Sequence, residues 1–216
     1  MRVRHLREAD YRRQRWKNGG GWTTELARSP APISSPPPLT QGRRSDRRTA
    51  RDSVISLEPD WRISIAEIKS DGAFSTFPQC DRYIALLDGN GMTLEFDAAP
   101  AAVLDHRLRF VRFDGEWQTR GRLRDGPVRD FNVIARRDRV HAEVLHRPLV
   151  GTMVFPDAAR ITWFVYLAAG RATVQASAEP QAFSAGESLL LEDDGTMHNC
   201  ILDGGGDLLL VKLTTT

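Results

Sequence analysis

WRISIAEI, residues 61 to 68, puts Trp61, Ile63 and Ile65 on one side of an extended chain and Arg62, Ser64 and Ala66 on the other. Successive side chains alternate across a strand, so this period of two, with one apolar and one polar row, predicts a β-strand. DFNVIARRD (130–138) repeats it: Asp130, Asn132 and Ile134 share a face, Arg136 follows on that face, and Phe131, Val133 and Ala135 take the other. RYIALLDGNGMTLEF (82–96) reads as a hairpin about Asp88-Gly89-Asn90-Gly91, because DG and NG supply the positive φ that tight turns need.

The second half has the same style. ITWFVYLAAGRATVQ (161–175) reads as a hairpin about Ala169-Gly170, AFSAGESLLLE (182–192) as a turn and strand, and DLLLVKLTTT (207–216) as a closing strand. HAEVLHRPLVG (141–151) interrupts the strand pattern. No long amphipathic helix is visible, and many short strands between Gly-rich turns indicate an all-β protein. Because the halves rhyme, the chain is expected to hold two β-barrels, over residues 1–140 and 141–216.

One segment departs from this pattern. SPAPISSPPPLTQGRRSDRRTARDS (29–53) is rich in Pro, Ser and Arg with few bulky apolar side chains, so a disordered insertion is expected over 30–53. Its arginines lack interleaved aromatics for stacking on bases, which favours a solvated loop over a nucleic-acid arm.

With 216 residues, 41% hydrophobic, 27% charged and a net charge of +2, the chain has room for one large or two small domains and no strong field to attract nucleic acid. The longest apolar run, ITWFVYLAA (161–169), is far short of the roughly 20 residues a membrane helix needs. Arginines interleaved with acids at the N-terminus leave no apolar signal region, so a cytoplasmic location is expected. Cys80 and Cys200 stand apart in no CxxC arrangement and read as buried small hydrophobes.

The chemistry-bearing motifs are mostly missing. His5, His106, His141, His146 and His198 form no HxH or HExxH pair, so no transition-metal site is coherent, and His198 in GTMHN reads as a capping or surface residue. There is no GxSxG elbow, and the glycines of WKNGGGWTTELA (16–27) are not followed by GK[ST], which excludes a phosphate loop. What remains is a set of polar residues on apolar strands: Lys17 and Asn18 before Gly19, Gly20 and Gly21, then Arg62, Ser64, Asp81, Arg82, Asp130, Asn132 and Arg136. A cationic, amide-rich lining of this kind suits a small anion carrying carboxylate and amide groups, since arginine grips carboxylates bidentately.

W-K-N-G-G-G at 16–21, S-D-G-A-F-S-T-F-P-Q-C-D-R at 70–82 and D-G-P-V-R-D-F-N at 125–132 occur in that order. Through them, most of residues 11–138 resembles the HutD/Ves family of bacterial proteins. The resemblance implies a bicupin, two cupin-like β-barrels in one chain, without the metal-binding histidines of cupins: FPQCDR stands where a metal cupin would place its HxH. It also implies a link to histidine utilisation through binding of formylglutamate or a related intermediate, without an established catalytic activity. The family's pocket motifs fall on Lys17, Asn18, Gly19, Gly20, Gly21, Arg82, Asp130 and Asn132.

The leading expectation is therefore a non-enzymatic binding or regulatory protein with no metal or cofactor. Its partner is a small anionic metabolite, not nucleic acid or a membrane, and a homodimer is left open. The alternative is a metal-independent hydrolase or isomerase using Asp130 as general base, with Arg82 and the glycine amides stabilising an anion. A third reading gives the function to the arginine-rich insertion as a docking arm.

Overall fold

The computed structural model describes residues 1–16, 20–29, 59–175, 179–196 and 198–216. Among them the regular elements are strands, apart from one 3-10 turn at Glu8–Asp10. The first half supplies β1 (Arg2–Leu6), β2 (Arg12–Arg15), β3 (Gly21–Arg28), β4 (Trp61–Ile68), β5 (Gly72–Ala73), β6 (Cys80–Asp88), β7 (Met92–Phe96), β8 (Ala102–Leu104), β9 (Phe110–Asp114), β10 (Thr119–Leu123) and β11 (Val128–Arg136). The second supplies β12 (Val140–Phe155), β13 (Ile161–Gln175), β14 (Gln181–Ser184), β15 (Ser188–Glu192) and β16 (Cys200–Thr215).

These strands make three sheets. One runs β2-β3-β4-β11-β6-β9, a smaller one runs β5-β10-β7-β8, and a third runs β1-β15-β13-β16-β12 with β14 added on β13. The all-β expectation holds, although the sheets stay open and do not close into hydrogen-bonded barrels. β1 precedes the whole first half yet pairs with β15 in the second, Arg2 opposite Glu192 and Leu6 opposite Ser188.

The alternation read in WRISIAEI explains the packing, because the two faces of the six-stranded sheet meet different neighbours. Trp61, Ile63, Ile65, Phe131 and Val133 face outward from the first half and pack on Phe164, Tyr166, Leu209 and Val211 of the second. That core joins the halves, and each fully buried Ile or Phe in it contributes ~1.5–3 kcal/mol. The opposite face looks into the first half, where Ile84 and Leu86 meet Met92, Leu94 and Leu104 of the small sheet. In the second half, Val165, Leu167, Leu208 and Leu210 fill a separate core, while their alternate neighbours Phe164, Tyr166, Leu209 and Val211 face the first half. Burial on both faces is why FVYL and LLLV read as unbroken apolar runs.

Three local expectations are corrected. The strands flanking Leu87-Asp88-Gly89-Asn90-Gly91 do not form a hairpin: β6 pairs with β11 and β9, and β7 with β10 and β8. Gly89 and Gly91 do take positive φ, 96° and 100°, so the turn chemistry was right, but it turns the chain from one sheet into the facing one. Residues 161–175 are one strand, not two. The signal at Ala169-Gly170 is a bulge, with the register against β16 shifting between Leu167 and Ala169 and Gly170 at φ 96°. A Cβ on Gly170 would collide with the backbone carbonyl oxygen of Gly205. Finally, HAEVLHRPLVG does not interrupt the strands but lies within β12. Among the described residues β12 is an edge strand that pairs with β16 alone, which leaves Pro148 free of ladder duty on one side.

Candidate functional site

The polar face of the six-stranded sheet lines a cavity of about 610 Å³ in the first half. Register builds it. Asn132 on β11 lies opposite Ser64 on β4 and Ile84 on β6, while Ile134 lies between Arg62 and Arg82. β3 adds Thr23 and Glu25 opposite Ala66 and Ser64, and β2 adds Gln14 and Arg12 opposite those. Among the described residues, five arginines, Arg12, Arg15, Arg28, Arg62 and Arg82, line the cavity together with one carboxylate, Glu25, and Arg28 Nε lies 3.6 Å from that carboxylate.

Arg82 is the deepest of these cations, 4% exposed. Its Nη2 donates to Asn132 Oδ1 at 2.9 Å and its Nη1 to the Ser75 carbonyl at 3.1 Å. The guanidinium carbon lies 5.4, 5.2 and 5.1 Å from the ring centroids of Phe74, Phe77 and Phe113, contacts of up to ~2 kcal/mol each when desolvated. The Nε has no hydrogen-bond partner among the described residues, a deficit of ~1–3 kcal/mol. Burial, with the neighbouring charge of Arg62 acting in the same direction, brings Arg82 down to about 10 against the pull of Asp130. Arg62 is half-buried, sits 5.6 Å from the Phe77 ring, and has no carboxylate against it among the described residues. Two guanidiniums thus converge on one face, with no anion among the described residues between them.

Asp130 lies behind this pair. It is fully buried; its Oδ1 accepts from Asn132 Nδ2 at 2.6 Å and its Oδ2 has no partner among the described residues. Burial pushes the carboxyl up to about 7, opposed by the Asn132 hydrogen bond and the Arg82 charge. The chain Arg82, Asn132, Asp130 fixes the asparagine with its oxygen toward the cation and its nitrogen toward the acid.

Of the residues singled out in the sequence, Arg62, Ser64, Arg82 and Asn132 meet on the cavity wall, and Asp130 stands one layer beneath it. Asp81, although adjacent to Arg82, points to the other face and is held by Arg112 at 2.8 Å and Arg137 at 2.8 Å, which keep it below the usual carboxylate range despite its burial. Arg136 turns to Asp138 at 2.8 Å.

Lys17, Asn18 and Gly19 lie outside the described residues, as does the insertion from residue 30 onward. The Gly20 carbonyl accepts from Lys69 N at 3.2 Å. Gly21 packs against β4, where a Cβ would collide with the Glu67 carbonyl, so its close backbone approach is to a neighbouring strand. The flanking tryptophans part company: Trp16 lines the cavity and donates from Nε1 to Thr23 at 2.8 Å, whereas Trp22 lies under Arg13 at 4.7 Å on the other face. The sequence reading missed Phe74 and Phe77, the rings around Arg82, and the β2 residues Arg12 and Gln14. Two phenylalanines three apart just before Arg82, in the irregular stretch FSTFP, were the available signal.

The HutD family profile matches residues 8–210. A protein from the hutC 3' region of Pseudomonas putida is 37% identical over 140 residues, 64% of this chain and 61% of that protein, so the match spans less than two thirds of that relative. Protein Ves of Citrobacter koseri is 30% identical over 198 residues, 91% of this chain and 82% of its own length. Among solved structures, HutD from Pseudomonas fluorescens SBW25, in a formate condition, superposes over 100% of both chains with a TM-score of 0.74 and 28% identity. A cupin 2 conserved barrel domain protein from Leptotrichia buccalis, 11% identical with a TM-score of 0.51 over 74% of this chain and 85% of its own, shares the fold alone.

Proposed function

This chain belongs to the HutD family, which is associated with histidine utilisation, and we propose that its first-half cavity binds a small anionic metabolite bearing carboxylate and amide groups, with formylglutamate as the first candidate. The observation that carries this reading is the pair Arg62 and Arg82, converging on one wall of the cavity with no carboxylate among the described residues between them. An anion there removes their mutual repulsion, and charge-assisted bonds to guanidinium are about twice as strong as neutral ones. Ser64, Thr23 and Gln14 offer neutral hydrogen-bonding partners for an amide, and Glu25 offers an acceptor for its N–H.

The alternative, catalysis by Asp130, requires the base within hydrogen-bond reach of its substrate. Asp130 is fully buried behind Asn132, so the binding reading is preferred and Asp130 acts by orienting that amide.

Arg62 tests the proposal more cleanly than Arg82, because Arg82 also holds Asn132 and the Ser75 carbonyl. Thermal melting with formylglutamate at about 100 times its Kd should show a stabilisation of ~2.7 kcal/mol in the wild type. Arg62→Gln should lose most of that shift with an unchanged ligand-free melting temperature. No stabilisation of the wild type by formylglutamate, urocanate or histidine would sink the proposal.

A further inference from the structure

A second cavity, of about 630 Å³, opens on the other face of the same sheet, where the two halves diverge. Its floor is apolar, formed by Leu26, Ile65 and the ring of Tyr166, all members of the core that joins the halves. Two polar groups there have no partner among the described residues. Tyr166 is 5% exposed, yet its hydroxyl makes no hydrogen bond to them, although the neighbouring Tyr11 hydroxyl meets Ser188 at 2.9 Å and the Gly186 carbonyl at 3.0 Å.

Arg129, exposed to solvent at the start of β11, is the other. It is flanked in register by Glu67 on β4 and Asp88 on β6, but Glu67 gives both its oxygens to Arg13, each at 2.9 Å, and Asp88 makes no ion pair with it. A second lining acid, Glu187, is occupied by His5 at 3.0 Å and Arg7 at 3.6 Å. Glu8, on the rim, is exposed to solvent. Burial raises the Tyr166 phenol above its ordinary range, with Arg129 and then Arg107 pulling it down, so at neutral pH the hydroxyl remains a donor.

Although the ring is buried, the Tyr166 hydroxyl is open to the cavity. Beside a guanidinium that its own acids have left alone, it forms one half of a carboxylate-binding pair. We propose that this seam is a second binding site, in which Arg129 and Tyr166 hold the carboxylate of a small organic acid whose apolar body lies on Leu26 and Ile65. The site is independent of the first cavity, since it lies on the opposite face of the sheet and shares none of Arg62, Arg82 or Asn132.

The probe is phenylacetate, titrated calorimetrically into the full chain. Saturable binding is expected in the wild type, weakened about tenfold or more in both Arg129→Gln and Tyr166→Phe. Tyr166→Phe keeps the ring and removes a hydroxyl that bonds none of the described residues, so it should melt with the wild type. Inorganic phosphate, which has no apolar body, should bind at least about tenfold more weakly than phenylacetate. The proposal is overturned by no binding to the wild type, by equal binding to the wild type and both variants, or by phosphate matching phenylacetate. Soaked crystals give a direct check: the carboxylate should lie on Arg129 and Tyr166, and its appearance only between Arg62 and Arg82 would overturn the assignment.

Discussion

Asp130 offers the sharpest test of the first site. Its carboxyl is fully buried and pushed from an ordinary value near 3.8 up to about 7, a difference that corresponds to ~4 kcal/mol at 1.36 kcal/mol per pH unit. Between those two values the folded protein holds a proton that the unfolded chain has released, so stability falls as pH rises. The contribution is fully present below about pH 4, declines by at most ~1.4 kcal/mol per unit, and is gone above about pH 7. Other acids work the opposite way, Asp81 among them, because arginines hold it low. The measurement is therefore a difference: urea unfolding of the wild type and of Asp130→Asn, from pH 4.5 to 8.5. The substituted carboxamide carries no charge at any pH and its oxygen can still accept from Asn132, so shared terms cancel. The wild type should lose ~3–4 kcal/mol relative to the variant across this range, most of it before pH 7. A difference that stays flat with pH would refute the reasoning, for it would mean that the carboxylate ionises without cost and is not enclosed as described.

Two further outcomes follow from the same geometry. An anion bound between Arg62 and Arg82 takes up part of the positive field that keeps Asp130 charged, so binding near pH 7 should be accompanied by proton uptake and weaken as pH rises above that value; calorimetry in buffers of different ionisation enthalpy reads the proton count, and Asp130→Asn should abolish it. Gly170→Ala places a Cβ against the Gly205 carbonyl at a φ of 96°, and should cost at least ~2 kcal/mol in urea unfolding, whereas the same change at Gly186, φ 93° with open space around the added Cβ, should cost only the ~1–2 kcal/mol of the backbone conformation.

The sequence showed the faces of strands more clearly than their partners. Alternation in WRISIAEI and DFNVIARR put Arg62, Ser64, Asp130 and Asn132 on one side, and the register of Asn132 opposite Ser64 made those rows a single wall. Pairing was less legible because turn chemistry fixes local φ and nothing more: Gly89 and Gly91 are equally content in a hairpin or in a corner between two sheets, and Gly170 gives the same signal in a bulge as in a turn. Arg82 stood out as a charge on an apolar strand. Its surroundings did not, since Phe74 and Phe77 come from an irregular stretch with no periodicity to read. Arg12 and Gln14 carry no signal in the sequence that separates them from the surrounding polar run, and only the cavity gives them a common neighbour.

The placement of β1 has a bearing on how the molecule is made. Residues 2–6 leave the ribosome before any part of the six-stranded sheet exists, yet their ladder partner, residues 188–192, emerges only after that sheet is complete. The first strand must wait unpaired while the whole first half is synthesised, an exposed edge of the kind that invites pairing with a neighbouring chain. Arg2 and Arg4, which alternate with Val3 along it, supply the charge that discourages such pairing. When β15 arrives, closing this ladder ties the earliest strand to one of the latest, so the second half cannot finish its sheet without capturing a segment that has been held in reserve since synthesis of the first half.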